Sequence, residues 1–337
     1  MKNYFIGIDV SKMKLDVALH STEGRLNCNH IVIENNGKGF KDLLTWFKKM
    51  GINHQEVLIC MEHTGIYADK VVDFFETKGI AYSLQSALHV KKSLGLVRGK
   101  SDKVDAFRLS EFCYEKRATI KESQKPSQNI IVLKHLFTER RKLVGTRAQY
   151  KQIRSEIAIY QGKGFVKRKE RIIKNLQRDI DEIDQEIIEI IKSDPEIYCN
   201  FLLLISIIGI GNVNAVGAIV YTNNFKNFSD PRAYACYIGV APFPCSSGTS
   251  IHKRKSVSKM GRLQLKADLT QAARSAILYD PQMKAYFKRK FNDKKGAESN
   301  YGTVLNAVKF KLICRMFSVI RRQSIMVPFF RATKIKS

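Results

Sequence analysis

Residues 4–10, YFIGIDV, decide the fold. The run is apolar, rich in β-branched residues and too short for a helix, so it reads as a buried strand. Asp9 interrupts it one residue from the end. A carboxylate inside an apolar strand costs free energy unless something compensates its charge, which marks Asp9 as a functional candidate. Reading outward, LDVALHST (15–22) is the expected hairpin partner and HIVIEN (30–35) a third strand. GFKDLLTWFKKM (39–50) places Phe40, Leu43, Leu44 and Phe47 at helical spacing. EVLICME (56–62) is another buried strand, ADKVVDFFETKG (68–79) a helix ended by Gly79, IAYSLQ (80–85) a last strand, and the segment from Ser101 to Lys116 a helix. Strands and helices in this mixed order predict an α/β domain over 1–125, with both sheet faces covered.

Strand signals stop beyond that point. Leu136, Leu143, Tyr150 and Ile157 recur every seven residues, and after GKGF (162–165) Ile173, Leu176, Ile180, Ile183, Ile187 and Ile190 alternate three and four apart. This heptad seam predicts a helical insert over 126–195, either an antiparallel hairpin or a dimerising coiled coil. Arg140, Arg147 and Arg154, also seven apart, are a solvated stripe or a basic ridge facing nucleic acid. A third, mostly α-helical region covers 196–330, and 331–337 is a tail. Residues 200–225 carry no charge and are long enough to span a bilayer. GIGNVN in their middle reads instead as a turn between two buried helices, so no membrane association is expected. Its other reading is a phosphate-holding hairpin between helices.

The chain has 337 residues and a formal net charge of +27, from 58 Lys and Arg against 31 Asp and Glu. Such a surplus, spread over the chain, implies a nucleic-acid partner, because neutralising phosphates releases counterions. From 251 to 290 there are eleven Lys or Arg against two acids, Asp268 and Asp280. The seven cysteines show no CxxC spacing, which excludes a zinc site or disulfide framework and fits reduced thiols in the cytoplasm, at the nucleoid. The N-terminus does not have the pattern of a signal peptide. No GxxxxGK[ST] is present, so no ATP site is expected.

Glu62 ends a strand, and Asp102 and Asp105, three apart, share one face at the start of a helix. If these acids and Asp9 converge, Mg²⁺ (or Mn²⁺) is the natural partner, since two such ions hold the attacking and leaving oxygens of a phosphoryl transfer. Taken singly, Asp102 is an acid favoured by the helix dipole and Glu62 an ordinary strand-end acid. The stretch PCSSGTSIHKRK (244–255) joins serines to cations as a linker, a phosphate cradle or the seat of a nucleophile.

GIDVSK, MEHTGIY and KSDKVDAFRLSE resemble the RuvC-like domain of the DEDD insertion-sequence transposases. That group includes the bridge-RNA-guided recombinases and the Piv-type DNA invertases. IIGIGNVNAVGAIV, FSDPRAYACYIGVAPF, SSG and SKMGR resemble its second, serine-containing transposase domain, in order and spacing. The resemblance implies an RNase H-type fold for the first domain and metal-binding acids at Asp9, Glu62, Asp102 and Asp105. It also implies a nucleophilic serine before glycine, here Ser247 before Gly248, although the preceding Ser246 leaves the register open by one. Less arginine follows SKMGR than the family leads one to expect. The substrates implied are the DNA ends of a mobile element and its target, brought together by a structured bridge RNA and a dimer or tetramer of the protein. A serine hydroxyl needs activation. His252 is the only histidine nearby, and activation at the acids is the other route. Lys253, Arg254 and Lys255 would neutralise the phosphate or simply bind it, and Lys259 and Arg262 extend the basic run. A RuvC-like nuclease or junction resolvase that only hydrolyses DNA is the alternative, and it would need the acids but not the serine.

Overall fold

The computed structural model describes residues 2–20, 30–63, 65–93, 101–152, 155–247, 251–258, 260–292 and 301–327, with the backbone alone at 155–159, 161, 163, 244–247 and 251–256. The chain divides into two compact units, Met1–Lys125 and Pro126–Ser337.

The first unit is a five-stranded mixed sheet with helices on both faces. In chain order it contains β1 (Tyr4–Val10), β2 (Lys14–Leu19), β3 (His30–Glu34), α1 (Gly37–Lys49), β4 (Val57–Glu62), α2 (Ile66–Lys78), β5 (Ala81–Gln85), α3 (Ala87–Ser93) and α4 (Asp102–Glu115). The strand order is β3-β2-β1-β4-β5. The quoted stretch is therefore the central strand, antiparallel to β2 and parallel to β4. Alternation sends Ile6, Ile8 and Val10 to one face, where they meet Leu43 and Phe47 of α1 and Val71 and Phe75 of α2. Phe5 goes to the other face with Leu58 and Cys60 of β4, against Leu109, Phe112 and Cys113 of α4. Gly7 lies on that second face. A Cβ there would stand 2.1 Å from the Ala106 carbonyl oxygen, so glycine is what lets α4 lie directly on β1. Asn36 caps α1 and Ser101 caps α4 through their side-chain oxygens, as small polar residues do at helix starts.

The second unit is mostly helical: α5 (Gln128–Gln152), α6 (Ser155–Ser193, broken at Gly162), α7 (Pro195–Ile205), α8 (Asn212–Thr222), α9 (Pro231–Tyr237), the strands β6 (Pro242–Ser247) and β7 (Ile251–Val257), α10 (Leu263–Tyr279), α11 (Pro281–Asn292) and α12 (Tyr301–Arg322). α5 and α6 run antiparallel: Arg140 grips Asp184 through Nε and Nη2 at 2.5 and 2.9 Å, and Arg147, a later residue of α5, bonds Gln177, an earlier residue of α6. These two arginines are thus turned onto the partner helix of the same chain and do not form a free basic ridge. Arg154 lies outside the described residues. Ile183 and Ile187 of the seam are buried with Leu133, Phe137, Leu204 and Ile219, so this part of the hairpin is built into the unit's core.

The uncharged 200–225 segment is two helices joined by a turn. Gly209 has φ +98°, and a Cβ there would approach the Ala272 carbonyl oxygen of α10 to 2.7 Å. The turn is a packing device between core helices. No helix among the described residues is long and apolar enough to cross a membrane. The serine stretch, read as a loop, is a two-stranded antiparallel ribbon of β6 and β7 with an irregularity between Phe243 and Cys245.

Candidate active site

The β-ladder assembles most of the first unit's site. Asp9 of β1 stands directly opposite Asp16 of β2. On the other side Ile8 pairs with Met61 of β4, so Glu62 follows beside Asp9. Opposed residues share a face, which puts Asp16, Asp9 and Glu62 in a row across three strands. It is the face on which Gly7 admits α4, and the first turn of α4 carries Asp102 and Asp105.

Like charges this close disfavour ionisation. Burial, then the charges of Asp102, Asp105, Glu62 and Asp16, push the Asp9 carboxyl up to about 6. Burial, then Asp105, also raises Glu62. The other acids have cations. Lys14 Nζ stands 2.8 Å from Asp102 and 3.2 Å from Asp16 Oδ2, and these contacts, Asp102 first, raise the lysine. The 3.2 Å approach is ionic without hydrogen-bond geometry, since Asp16 Oδ2 is sealed and accepts no hydrogen bond. His30 Nε2 lies 3.0 Å from Asp16 Oδ1, and Arg108 binds Asp105 at 2.7 Å.

In the second unit Ser247 is the last residue of β6, paired with Ile251, while Ser246 pairs with His252. Adjacent positions on a strand belong to opposite faces, so His252 shares a face with Ser246 and not with Ser247. Lys253, Arg254 and Lys255 follow on β7. Gly248 and Lys259 lie outside the described residues. The ribbon is rooted by two glycines: a Cβ on Gly261 would stand 2.4 Å from the Gly239 amide nitrogen. Beside this root an open cleft of about 310 Å³ is lined by Arg141, Tyr221, Arg262 and Gln264. The exposed Arg262 lies over the rings of Tyr221 and Tyr237 and donates from Nε to the Tyr237 hydroxyl at 3.2 Å. Arg141 is bonded to Asp268 and Gln264.

Residues 6–157 match the DEDD transposase family of IS110, and residues 202–288 match the transposase family IS116/IS110/IS902. The chain belongs to the IS110-type DEDD transposases. It is also similar to the pilin gene-inverting proteins of Moraxella lacunata and Moraxella bovis, each 26% identical over 330 residues that cover 96% of this chain and 97% of the relative. This transposase is a DNA-recombining enzyme, and DNA is its substrate. Its mixed-sheet unit followed by a mostly helical one is consistent with an RNase H-like DEDD domain at the N-terminus.

The DEDD domain of such transposases is typically divalent-metal dependent. Among the described residues no three His, Cys, Asp or Glu side chains stand as a ready metal cage. The reason is visible: Asp102 is turned to Lys14 and Asp105 to Arg108. The donor set nevertheless fits a hard cation, because Asp9 and Glu62 are crowded carboxylates with no cation of their own among the described residues. Sequence reading missed Asp16, Lys14 and His30. The hairpin was legible, but only its register brings Asp16 opposite Asp9.

Proposed function

We propose that this transposase cuts and joins DNA through Ser247, acting with Asp9, Glu62, Asp102 and Asp105. The observation carrying the reading is the crowding around Asp9, whose carboxyl burial and neighbouring acids push up to about 6. A strand-end carboxylate in that state is built to receive positive charge. A divalent cation held by these four acids would neutralise charge on the reacting phosphate and lower the pKa of an attacking hydroxyl. The Ser247 Oγ attacks phosphorus, one P–O ester bond breaks, and the departing sugar oxygen takes a proton. A hydroxyl of the second strand then attacks the phosphoserine and returns the proton to the serine. Each step forms one P–O bond and breaks one, so no external energy source is required. Lys253, Arg254 and Lys255 follow the serine on the ribbon and supply charge to the phosphate.

A Ser247→Ala protein, given labelled element-end DNA, should lose both the covalent protein–DNA species and joined product. Unchanged joining would refute the serine, and the same loss with Ser246→Ala alone would move the assignment by one residue. Hydrolysis alone is favoured by one observation: all four acids lie in the first unit and Ser247 in the second, so the acid site is complete without the serine. Cleavage without joining by Ser247→Ala would support that reading.

We further propose guidance by a structured RNA and assembly as a dimer or tetramer. The +27 charge supports a large polyanionic partner. The half-buried Ile173 and Leu176, on the outer part of the α6 seam, support helix pairing between copies. Co-expression with the DNA flanking the reading frame, followed by sequencing of copurified RNA and light scattering, tests both. A protein free of RNA and monomeric on DNA would refute them.

A further inference from the structure

α12 carries a lysine where its pattern calls for an apolar residue. Leu305, Val308, Leu312, Ile313 and Met316 form its buried face, and Lys309 sits among them, 6% exposed. Among the described residues nothing accepts a hydrogen bond from its Nζ and no acid pairs with it. The sealed unpartnered side-chain atoms of this unit are on Arg141, Asn224 and Asn306, so the Lys309 ammonium keeps a window to solvent at the end of a buried stem. Burial, then the charges of Lys266 and Arg274 on α10, bring Lys309 down to about 8. Lys266 and Arg274 stand on α10, whose Leu269, Ala272 and Ala273 share the core with Leu305, Val308 and Leu312 of α12, and the acids of this region are already taken. Asp268 is bound by Arg141, Asp280 is bound by Arg315, and α12 contains no acid. An ammonium with only a narrow window to solvent and two like charges acting on it is disfavoured without a counter-ion, and the window leaves room for an anion from outside.

The place of the cluster narrows that anion. Asn306, three residues before Lys309 on α12, donates from Nδ2 to the Val240 carbonyl at 2.6 Å. Val240 lies two residues before β6, so the helix turn next to Lys309 holds the root of the serine ribbon. Ser247 is five residues farther along β6, about 17 Å away at strand rise. A phosphate at the ribbon's root is therefore set apart from Ser247 by the length of β6.

We propose that Lys309, Lys266 and Arg274 form a binding site for a nucleic-acid backbone phosphodiester at the root of the β6–β7 ribbon, where it fixes the strand that flanks the reacting phosphate. The site rests on the DNA substrate of the family and not on Ser247 as nucleophile. The test uses the full-length protein with Lys309→Met, which keeps the buried stem and removes the charge, and with Lys309→Arg. Binding is measured against salt, once with a labelled element-end duplex and once with the noncoding RNA transcribed from the element's flank. For the Met variant the slope of log affinity against log salt should shrink by about 0.9, with roughly five- to tenfold weaker binding near 0.1 M salt. Lys309→Arg should restore the slope. The melting temperature of the Met variant should stay level or rise, because an uncompensated buried charge is gone. A reduced slope with the duplex assigns the site to DNA, and one confined to RNA assigns it to the guide. Unchanged slopes for both overturn the proposal. A falling melting temperature with unchanged slopes makes Lys309 a structural residue and overturns it too. Because binding and not joining is read, failure here is distinct from failure of the serine mechanism.

Discussion

Replacing Asp9 with Asn should stabilise the metal-free protein at neutral pH, against the usual sign for a substitution inside a central strand. The Asp9 carboxyl rises from 3.8 to about 6, so the folded protein holds a proton there that the unfolded chain releases. Stability must then fall as pH rises through this window, and the penalty is complete above it. Two pKa units at 1.36 kcal/mol each give about 3 kcal/mol. Asp9 is only half-buried, and solvent screening halves this to about 1.5 kcal/mol, or roughly 4–8 °C in melting temperature for a unit of this size. Asn mimics the neutral acid and carries no such penalty. The assay is thermal unfolding of both proteins in chelator, from pH 4 to pH 8. The gap in favour of Asp9→Asn should be near zero at pH 4 and full at pH 7.5. Adding Mg²⁺ at pH 7.5 should raise the wild type and leave the variant nearly unchanged, because a ligand that binds only the folded state stabilises it. A gap that is flat with pH, or an Asn variant that melts below the wild type at pH 7.5, would refute the reasoning that crowding burdens this carboxylate.

Three further outcomes follow from the same geometry. Gly7→Ala sets a methyl 2.1 Å from the Ala106 carbonyl oxygen, and should cost the first unit about 1–3 kcal/mol in urea unfolding; a neutral result would mean that α4 shifts freely on β1. Gly261→Ala crowds the Gly239 amide at 2.4 Å, and should cut strand joining more than tenfold (order of magnitude from the same overpacking cost) while duplex binding persists; normal joining would separate the ribbon's root from its chemistry. Lys14→Met frees Asp102 and Asp16 from their shared ammonium, and should lower the Mg²⁺ concentration that half-saturates the melting shift. A higher midpoint would make Lys14 a support of the site and not a competitor for it.

Much of this was legible in the sequence because strand and helix periods are local properties. YFIGIDV, its hairpin partner, EVLICME and the helix from Ser101 all stand where pattern reading puts them. The row of acids was only half legible. Asp9 and Glu62 announce themselves by interrupting or ending apolar runs, but Asp16 becomes meaningful only once the ladder register pairs it with Asp9. The ribbon escaped detection because PCSSGTSIHKRK has turn residues and cations in place of β-formers, so pairing of its two halves overrides local propensity. The arginine stripe of the first arm was only partly legible for the opposite reason. Its seven-residue spacing shows that Arg140 and Arg147 share a helix face, while the acid and amide they meet lie 44 and 30 residues away on the second arm. Lys309 did leave a signal, a lone charge at helical spacing from Leu305, Leu312 and Ile313, with Asn306 the one polar neighbour.

The acids of the first unit and the most basic stretch of the second lie in different parts of the chain. Five carboxylates around one strand end repel DNA, and among the described residues only three of them have a lysine or arginine partner: Asp16 and Asp102 share Lys14, and Asp105 has Arg108. The two without one, Asp9 and Glu62, are the two whose carboxyls are raised. Such a site cannot attract a polyanion by itself. The attraction has to come from elsewhere, and residues 251–290 hold eleven Lys or Arg against two acids that are already paired within the protein. Neutralising phosphates there releases counterions irrespective of the state of the acids. Loss of the acids should therefore abolish joining while leaving duplex affinity and its salt slope intact, whereas loss of the cations of residues 251–290 should weaken binding without altering the pH response of Asp9.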